Sequence, residues 1–251
     1  MKKVLIYCCL LIQTLNVAYG QSKTKANTLN QYGIAPIFLG GLFREGLSVG
    51  QLKTRGDFGI AAPSLVDGEL IEYKGNIYQT KANGETKLAP DALKVPFGMV
   101  CFFKADTAFH INGQISQQQV EQIISAQLKN INGIYAIRIS GVFSKIQTRA
   151  FHKADHEPFP PVAEIQAAQQ LFNYTTIKGT MIGYRMPAYM SGLSGTGYHF
   201  HFISNDTEKG GHVLSYSPQA ILVEIALMKN FSLEVPNDPA FRTYQAASTA
   251  R

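Results

Sequence analysis

The chain has 251 residues, 45% of them hydrophobic and 16% charged, with a formal net charge of +6. A positive balance this mild, with no cluster of Lys or Arg, does not point to a nucleic-acid partner. Of three cysteines, Cys8 and Cys9 sit in an N-terminal apolar run, so Cys101 alone cannot build a disulfide or a cysteine-rich zinc site, and any metal must be held by His and carboxylate.

Lys2 and Lys3 precede the apolar run 4–15, and Ala18 and Gly20 stand at −3 and −1 of a cleavage site before Gln21. That order is a secretory signal peptide, and the run is too short for an ordinary membrane span. Residues 1–20 are therefore expected to be cleaved, leaving an exported protein, periplasmic or secreted, with no stable membrane association. An uncleaved anchor is the rival reading. Residues 21–28 are polar and read as a flexible leader, and 29–251 as the functional domain, with 29–112 and 113–240 as candidate subdomains.

Residues 32–43 are apolar but broken by Pro36 and by Gly40-Gly41. Residues 48–55 predict a short helix closed by Gly56 at C′. Short strands are expected at 58–62, 69–73 and 76–79, the last two joined by a Lys74-Gly75 hairpin turn. A buried strand over 98–104 would hold Cys101 as a small hydrophobe rather than a nucleophile. The clearest helix is 116–130: Ser116 and Gln119 form a capping-box pattern, and Val120, Ile123, Ile124 and Leu128 line one face. Strands follow at 134–140 and 144–151. Pro160-Pro161 opens a second helix over 163–172, and the chain ends in strands at 179–186, 197–204, 212–216 and 221–228. The sum is an α+β fold, an α/β arrangement of two subdomains with mixed or antiparallel sheets and a few flanking helices.

The strongest chemical signal is Gly197-Tyr-His-Phe-His-Phe-Ile203. Side chains alternate along a strand, so His199 and His201 share one face while Tyr198, Phe200 and Phe202 take the other. The turn-rich stretch 205–211 returns the chain to His212 on the next strand, where a hairpin would bring a third imidazole alongside, and Gly210 and Gly211 let the backbone pass close. Three neutral imidazoles leave a zinc ion its charge and an open position, the catalytic arrangement. The plainer reading is three unrelated polar residues on a solvated sheet face. His152 and His156 have helical spacing, but Pro158, Pro160 and Pro161 argue for a loop; His110 reads as exposed beside a turn.

Several stretches together resemble the bacterial α-acetolactate decarboxylases: Gly56-Asp-Phe-Gly59, Asp67-Gly-Glu-Leu-Ile71, Ala136-Ile-Arg-Ile139, Gln147-Thr-Arg149, Pro158-Phe-Pro-Pro161, Gly179-Thr-Met-Ile-Gly183, and above all the histidine segment with Gly210-Gly-His-Val-Leu214. They occur in the family's order over about residues 29–236. The resemblance implies a homodimeric α/β enzyme that converts 2-acetolactate to acetoin and CO2 through an enediolate stabilised by Zn2+ on His199, His201 and His212. It also assigns catalytic roles to Glu69 and Arg149; from pattern alone, Glu69 reads as a solvated hairpin residue and Arg149 as a surface charge, with Arg138 its competitor. The family often carries a glutamate in its C-terminal tail, but residues 241–251 hold no acid, and Glu234 and Asp238 are the last carboxylates. The 61–64 stretch lacks a threonine often found before the Asp-Gly-Glu motif. Two other readings stay open: a non-catalytic relative of the family, and a cupin-like metal- or small-ligand-binding barrel, for which the acidic residue Glu208 and the third histidine stand at unfavourable spacing.

Overall fold

A computed structural model describes residues 27–245. The expected signal peptide and most of the leader lie outside those residues, and the first strand begins at Thr28. In chain order the elements are β1 (Thr28–Tyr32), α1 (Ala35–Leu39), β2 (Leu47–Ser48), α2 (Val49–Lys53), β3 (Phe58–Ala62), β4 (Glu69–Tyr73), β5 (Asn76–Thr80), β6 (Thr86–Leu88), β7 (Lys94–Val95), β8 (Phe97–Cys101) and β9 (Thr107–Asn112). Then come α3 (Gln117–Gln127), β10 (Ile134–Ala150), α4 (Val162–Ile165), β11 (Gln170–Met186), β12 (Gly197–Ser204), β13 (Gly210–Met228), β14 (Asn230–Glu234) and α5 (Pro239–Thr243).

Two sheets carry the fold, with mixed and antiparallel pairing and few helices. The first has seven strands in the order β14-β1-β8-β3-β4-β5-β6; β14 joins β1 in parallel and the remaining pairs are antiparallel. In the second, β10, β11, β12 and β13 are paired in sequence and β10 also pairs with β13, so the strands close on themselves. β9 adds to the free edge of β13 at residues 220–225. The sheets therefore do not divide the chain at one point: β9 sits in the second sheet and β14 in the first.

Strand alternation sends apolar side chains to two main places, with a third set on the outer face of the first sheet. One set, including Phe58, Ile60, Ile71 and Met99 of the first sheet and Ala136, Ile182, Tyr184 and Ile203 of the second, fills the space between the sheets. The other, including Phe143, Ile146, Met181, Phe202 and Tyr216, fills the closed strands, and Val120 and Ile124 of α3 join it. Each Ile, Val, Met and Phe among them contributes about 1.5–3 kcal/mol by leaving water. α2 covers the outer face of the first sheet with Val49 and Leu52, over Leu70, Ile77 and Val100.

The Lys74-Gly75 turn forms as expected, both residues having positive φ (54° and 74°) as a two-residue hairpin of the primed type requires. The Ser116 capping box is present, with the Gln119 amide donating to Ser116 Oγ and the Ser116 amide donating to Gln119 Oε1. α3 stops at Gln127, short of residue 130, because the chain turns at Asn130–Gly133, and Ile123 is 37% exposed rather than packed. The helix at 48–55 is α2, capped by Ser48; Gly56 serves close approach rather than a left-handed cap, since a Cβ there would sit 2.7 Å from the Cys101 amide nitrogen.

The helix expected over 163–172 is a larger correction. α4 ends at Ile165, one 3₁₀ turn follows, and from Gln170 the chain is strand, paired with β10 through Gln170 opposite Ala150. Cross-strand pairing overrides a weak helical pattern. The expected strands 134–140 and 144–151 are one strand, β10, and 212–216 and 221–228 are parts of β13.

β4 also carries Glu72, 2% exposed, with neither carboxylate oxygen hydrogen-bonded. Burial, reinforced by Asp57, pushes its carboxyl up to about 8, against a weaker pull from Lys53. The folded protein thus keeps a proton that the unfolded chain releases near pH 4.5, so stability is full below that pH and falls as pH rises toward 8. Glu72→Gln, which mimics the neutral acid, should match the wild type at pH 4.5 and exceed it by a few kcal/mol at pH 8 in urea titrations. Parallel pH profiles for the two proteins would contradict this.

Candidate metal centre and active site

His199 and His201 project from the same face of β12, while Phe200 and Phe202 pack inside the closed strands and Tyr198 packs against that cluster. β13 returns antiparallel and sets His212 directly opposite His201. On its other edge His212 lies directly opposite Arg149 of β10. Directly paired residues share a face with Cβ atoms roughly 4.5–5.5 Å apart, so His201, His212 and Arg149 form a row across three strands.

A bulge produces that row. β13 carries an unpaired residue, Leu214, between the pairs Gln147–Ser215 and Thr148–Val213. Regular pairing would set Arg149 against Val213; the added residue re-aims the strand, as bulges beside functional sites do. The backbone is tight here. Gly211 has φ 120°, and a Cβ on it would lie 2.7 Å from the Arg149 carbonyl oxygen; one on Gly210 would lie 2.4 Å from Thr80 Oγ1.

One ring nitrogen from each histidine lies within 4.8 Å of the other two, and His199 Nε2 is 3.2 Å from His212 Nδ1. Two nitrogens each about 2.0–2.1 Å from one tetrahedral ion stand roughly 3.3 Å apart, so this pair already has the edge length of a zinc site. His201 Nδ1 lies 2.7 Å from the Leu70 carbonyl oxygen. That contact requires Nδ1–H as donor, leaving the Nε2 lone pair free, the orientation that supports metal ligation. Burial, followed by the charge of Arg149, lowers His199 to about 4; burial takes His201 and His212 well below the usual imidazole range. All three are neutral at neutral pH, as ligands must be. The residues fit a divalent cation.

Glu69 opens β4 and is 6% exposed. Its Oε1 accepts from the Arg149 guanidinium, and its Oε2 lies 3.5 Å from His201 Nε2. Burial raises its carboxyl to about 7, with Arg149 opposing the shift. The chain reaches Glu69 through a strained turn: Leu65 and Val66 hold φ of 59° and 46°, uncommon for such side chains. Arg149 packs its guanidinium 3.9 Å from the centre of the Phe151 ring.

These groups line a cavity of about 130 Å³ whose other walls are apolar, among them Phe38, Leu39, Phe97 and Val162. Arg138 is elsewhere, in a two-point pair with Glu224 at 2.6 and 2.7 Å. His152, His156 and His110 are exposed, His152 and His156 in a loop. Cys101 is buried, its thiol pushed up to about 12 by burial. Glu234 pairs with Arg55, and Asp238 accepts from the Phe241 amide at the start of α5; neither lines the cavity.

Two participants escaped the sequence. The i, i+2 spacing of Arg149 and Phe151 on a strand could have revealed the ring beneath the guanidinium; a backbone acceptor such as the Leu70 carbonyl leaves no sequence signal.

A family model described as alpha-acetolactate decarboxylase matches residues 29–247. The chain is 32% identical over 222 residues to the alpha-acetolactate decarboxylase of Bacillus subtilis (strain 168), covering 88% of this chain and 87% of that protein. It is 32% identical over 201 residues to that of Methylococcus capsulatus (strain Bath), covering 80% and 77%. Among solved structures, the Bacillus subtilis strain 168 enzyme superposes with a TM-score of 0.85 at 31% identity, over 88% of this chain and 94% of the other. A Staphylococcus aureus protein described as similar to alpha-acetolactate decarboxylase gives the same TM-score at 26% identity, with the same coverage.

Proposed function

The chain belongs to the alpha-acetolactate decarboxylase family, and from that premise we propose that it converts 2-acetolactate to acetoin and CO2 with Zn2+ held by His199, His201 and His212. The observation that carries this reading is three neutral imidazoles, His201 buried and His199 and His212 half-buried, whose ligand atoms lie within 4.8 Å of one another, in one cavity with Glu69 and Arg149.

A zinc ion bound there supplies a Lewis acid beside the substrate's ketone and hydroxyl oxygens. The work of the chain's own groups follows from their positions. Arg149 keeps its positive charge at any relevant pH and offers planar paired donors, so it holds the substrate carboxylate. Its place is fixed from two sides, by Glu69 Oε1 and by the Phe151 ring. When the bond to the carboxylate carbon breaks, its electron pair stays on the remaining carbon skeleton and one proton must be added to carbon to give acetoin. Glu69 Oε1 takes the Arg149 guanidinium, which leaves Oε2 as the carboxyl atom from which that proton would be delivered. The apolar walls exclude water, which strengthens these charge interactions.

The homodimer and export through the 1–20 signal peptide belong to the same proposal. The test is direct: purified mature protein, incubated with racemic acetolactate, should release acetoin with about one zinc per chain and lose activity in chelator until zinc is restored. Acetoin formation unaffected by metal removal would refute the metal's role. Zinc binding with no acetoin would make the chain a non-catalytic relative.

A further inference from the structure

We propose that Phe38 is a specificity-determining wall that confines the small substituents of the substrate and closes off a larger apolar pocket behind it. The inference rests on the decarboxylase reading above. The polar groups of the cavity come from β4, β10, β12 and β13, whereas α1 contributes only the apolar residues Ala35, Phe38 and Leu39. Acetolactate presents three oxygen-bearing groups, which would face the metal site, Arg149 and Glu69, and two methyl groups, which the apolar walls would receive. Any longer alkyl group must grow against those walls.

A second pocket, about 540 Å³, lies beyond α1; Ile37, Leu42, Phe43, Phe159 and Phe241 give it a mostly apolar lining, to which Arg44, Glu45, Glu157 and Asp238 add charge. Among the described residues, Phe38 is the one that lines both spaces. Its ring is held rather than free: it stacks on Phe97 at 5.8 Å with an interplanar angle of 22°, and meets Phe43 edge-on at 5.7 Å. The cavity of about 130 Å³ is thus bounded by an aromatic partition in a defined orientation. Removing the ring joins the two spaces and gives a longer alkyl chain an apolar place to lie.

The test compares kcat/KM for 2-acetolactate with that for 2-hydroxy-2-alkyl-3-oxobutanoates bearing ethyl, propyl and butyl groups, using zinc-loaded wild type, Phe38→Ala and Phe38→Leu. The wild type should lose roughly tenfold or more for the early added methylenes. Phe38→Ala should raise the butyl-to-methyl ratio by roughly tenfold or more, with Phe38→Leu intermediate. Calorimetry on the metal-free proteins with 2-hydroxy-2-alkylpropanoates, which lack the ketone, reads the wall without turnover: the butyl compound should bind the variants more tightly than the wild type, and the methyl compound should not. An equal change for all chain lengths in both series would overturn the assignment. If Phe38→Ala does not fold, Phe38→Leu and the wild-type length dependence still decide it. Absence of turnover with every substrate would sink the decarboxylase reading while leaving the binding series to judge the wall.

Discussion

Replacing His201 with Ala is expected to strip the metal and to cut acetoin formation by on the order of 10³-fold, since a Lewis acid contributes several kcal/mol and each 1.4 kcal/mol is tenfold. His201 is the informative ligand because it is tied to both sheets. It projects from β12, yet its Nδ1–H donates to the carbonyl of Leu70 on β4. The variant loses one donor to the ion, and it also loses the hydrogen bond that ties β12 to the Leu70 carbonyl, worth about 0.5–1.5 kcal/mol. Circular dichroism should show a folded protein with a lowered midpoint, and metal analysis should show zinc far below one per chain. His110→Ala, on exposed β9, should change neither quantity. Full zinc content together with full activity in His201→Ala would remove the metal centre from this account.

Arg149→Ala separates binding of the ion from handling of the substrate. Arg149 is not among the clustered ring nitrogens, so zinc should remain near one per chain while turnover collapses. The same change leaves Glu69 buried without its cation. Arg149 now opposes the burial that raises the Glu69 carboxyl to about 7, so in the metal-free protein its removal lifts that carboxyl further. The sign of the stability change follows. An acid with a raised folded value destabilises increasingly as pH climbs above its unfolded value near 4.5, and with Arg149 gone that fall extends to higher pH. In the metal-free proteins, the pH-dependent part of the unfolding free energy from urea titrations should differ little at pH 4.5 and by about 1 kcal/mol at pH 8, since moving a carboxyl by one pH unit corresponds to about 1.4 kcal/mol. Adding Glu69→Gln should flatten the pH profile without restoring turnover. Loss of zinc from Arg149→Ala would make the arginine a structural residue.

The histidine hairpin was legible because its information is local. Alternation put His199 and His201 on one face, and eleven residues with a glycine-rich turn returned His212 to them. Glu69 and Arg149 were legible only through the family resemblance. They stand eighty residues apart and meet because two sheets pack, which no local pattern encodes. The bulge at Leu214, which aligns Arg149 with His212, is equally silent, since periodicity assumes regular pairing. Short edge strands were missed for a related reason: β14 is held by its partner β1 rather than by its own residues. The helix projected past Ile165 failed where Gln170 and the residues after it found β10 instead.

The segment around His212 has β12 bonded along one edge and β10 along the other. Its amides are therefore already satisfied, and the backbones bearing the ligands are held in place by the strands' own ladder. In a zinc finger the ion must organise the chain that grips it, and chelation unfolds the protein. Here the strand ladder itself would hold the socket, so stripping a bound ion is expected to leave the fold standing, with little of the ion's affinity spent on ordering the polypeptide.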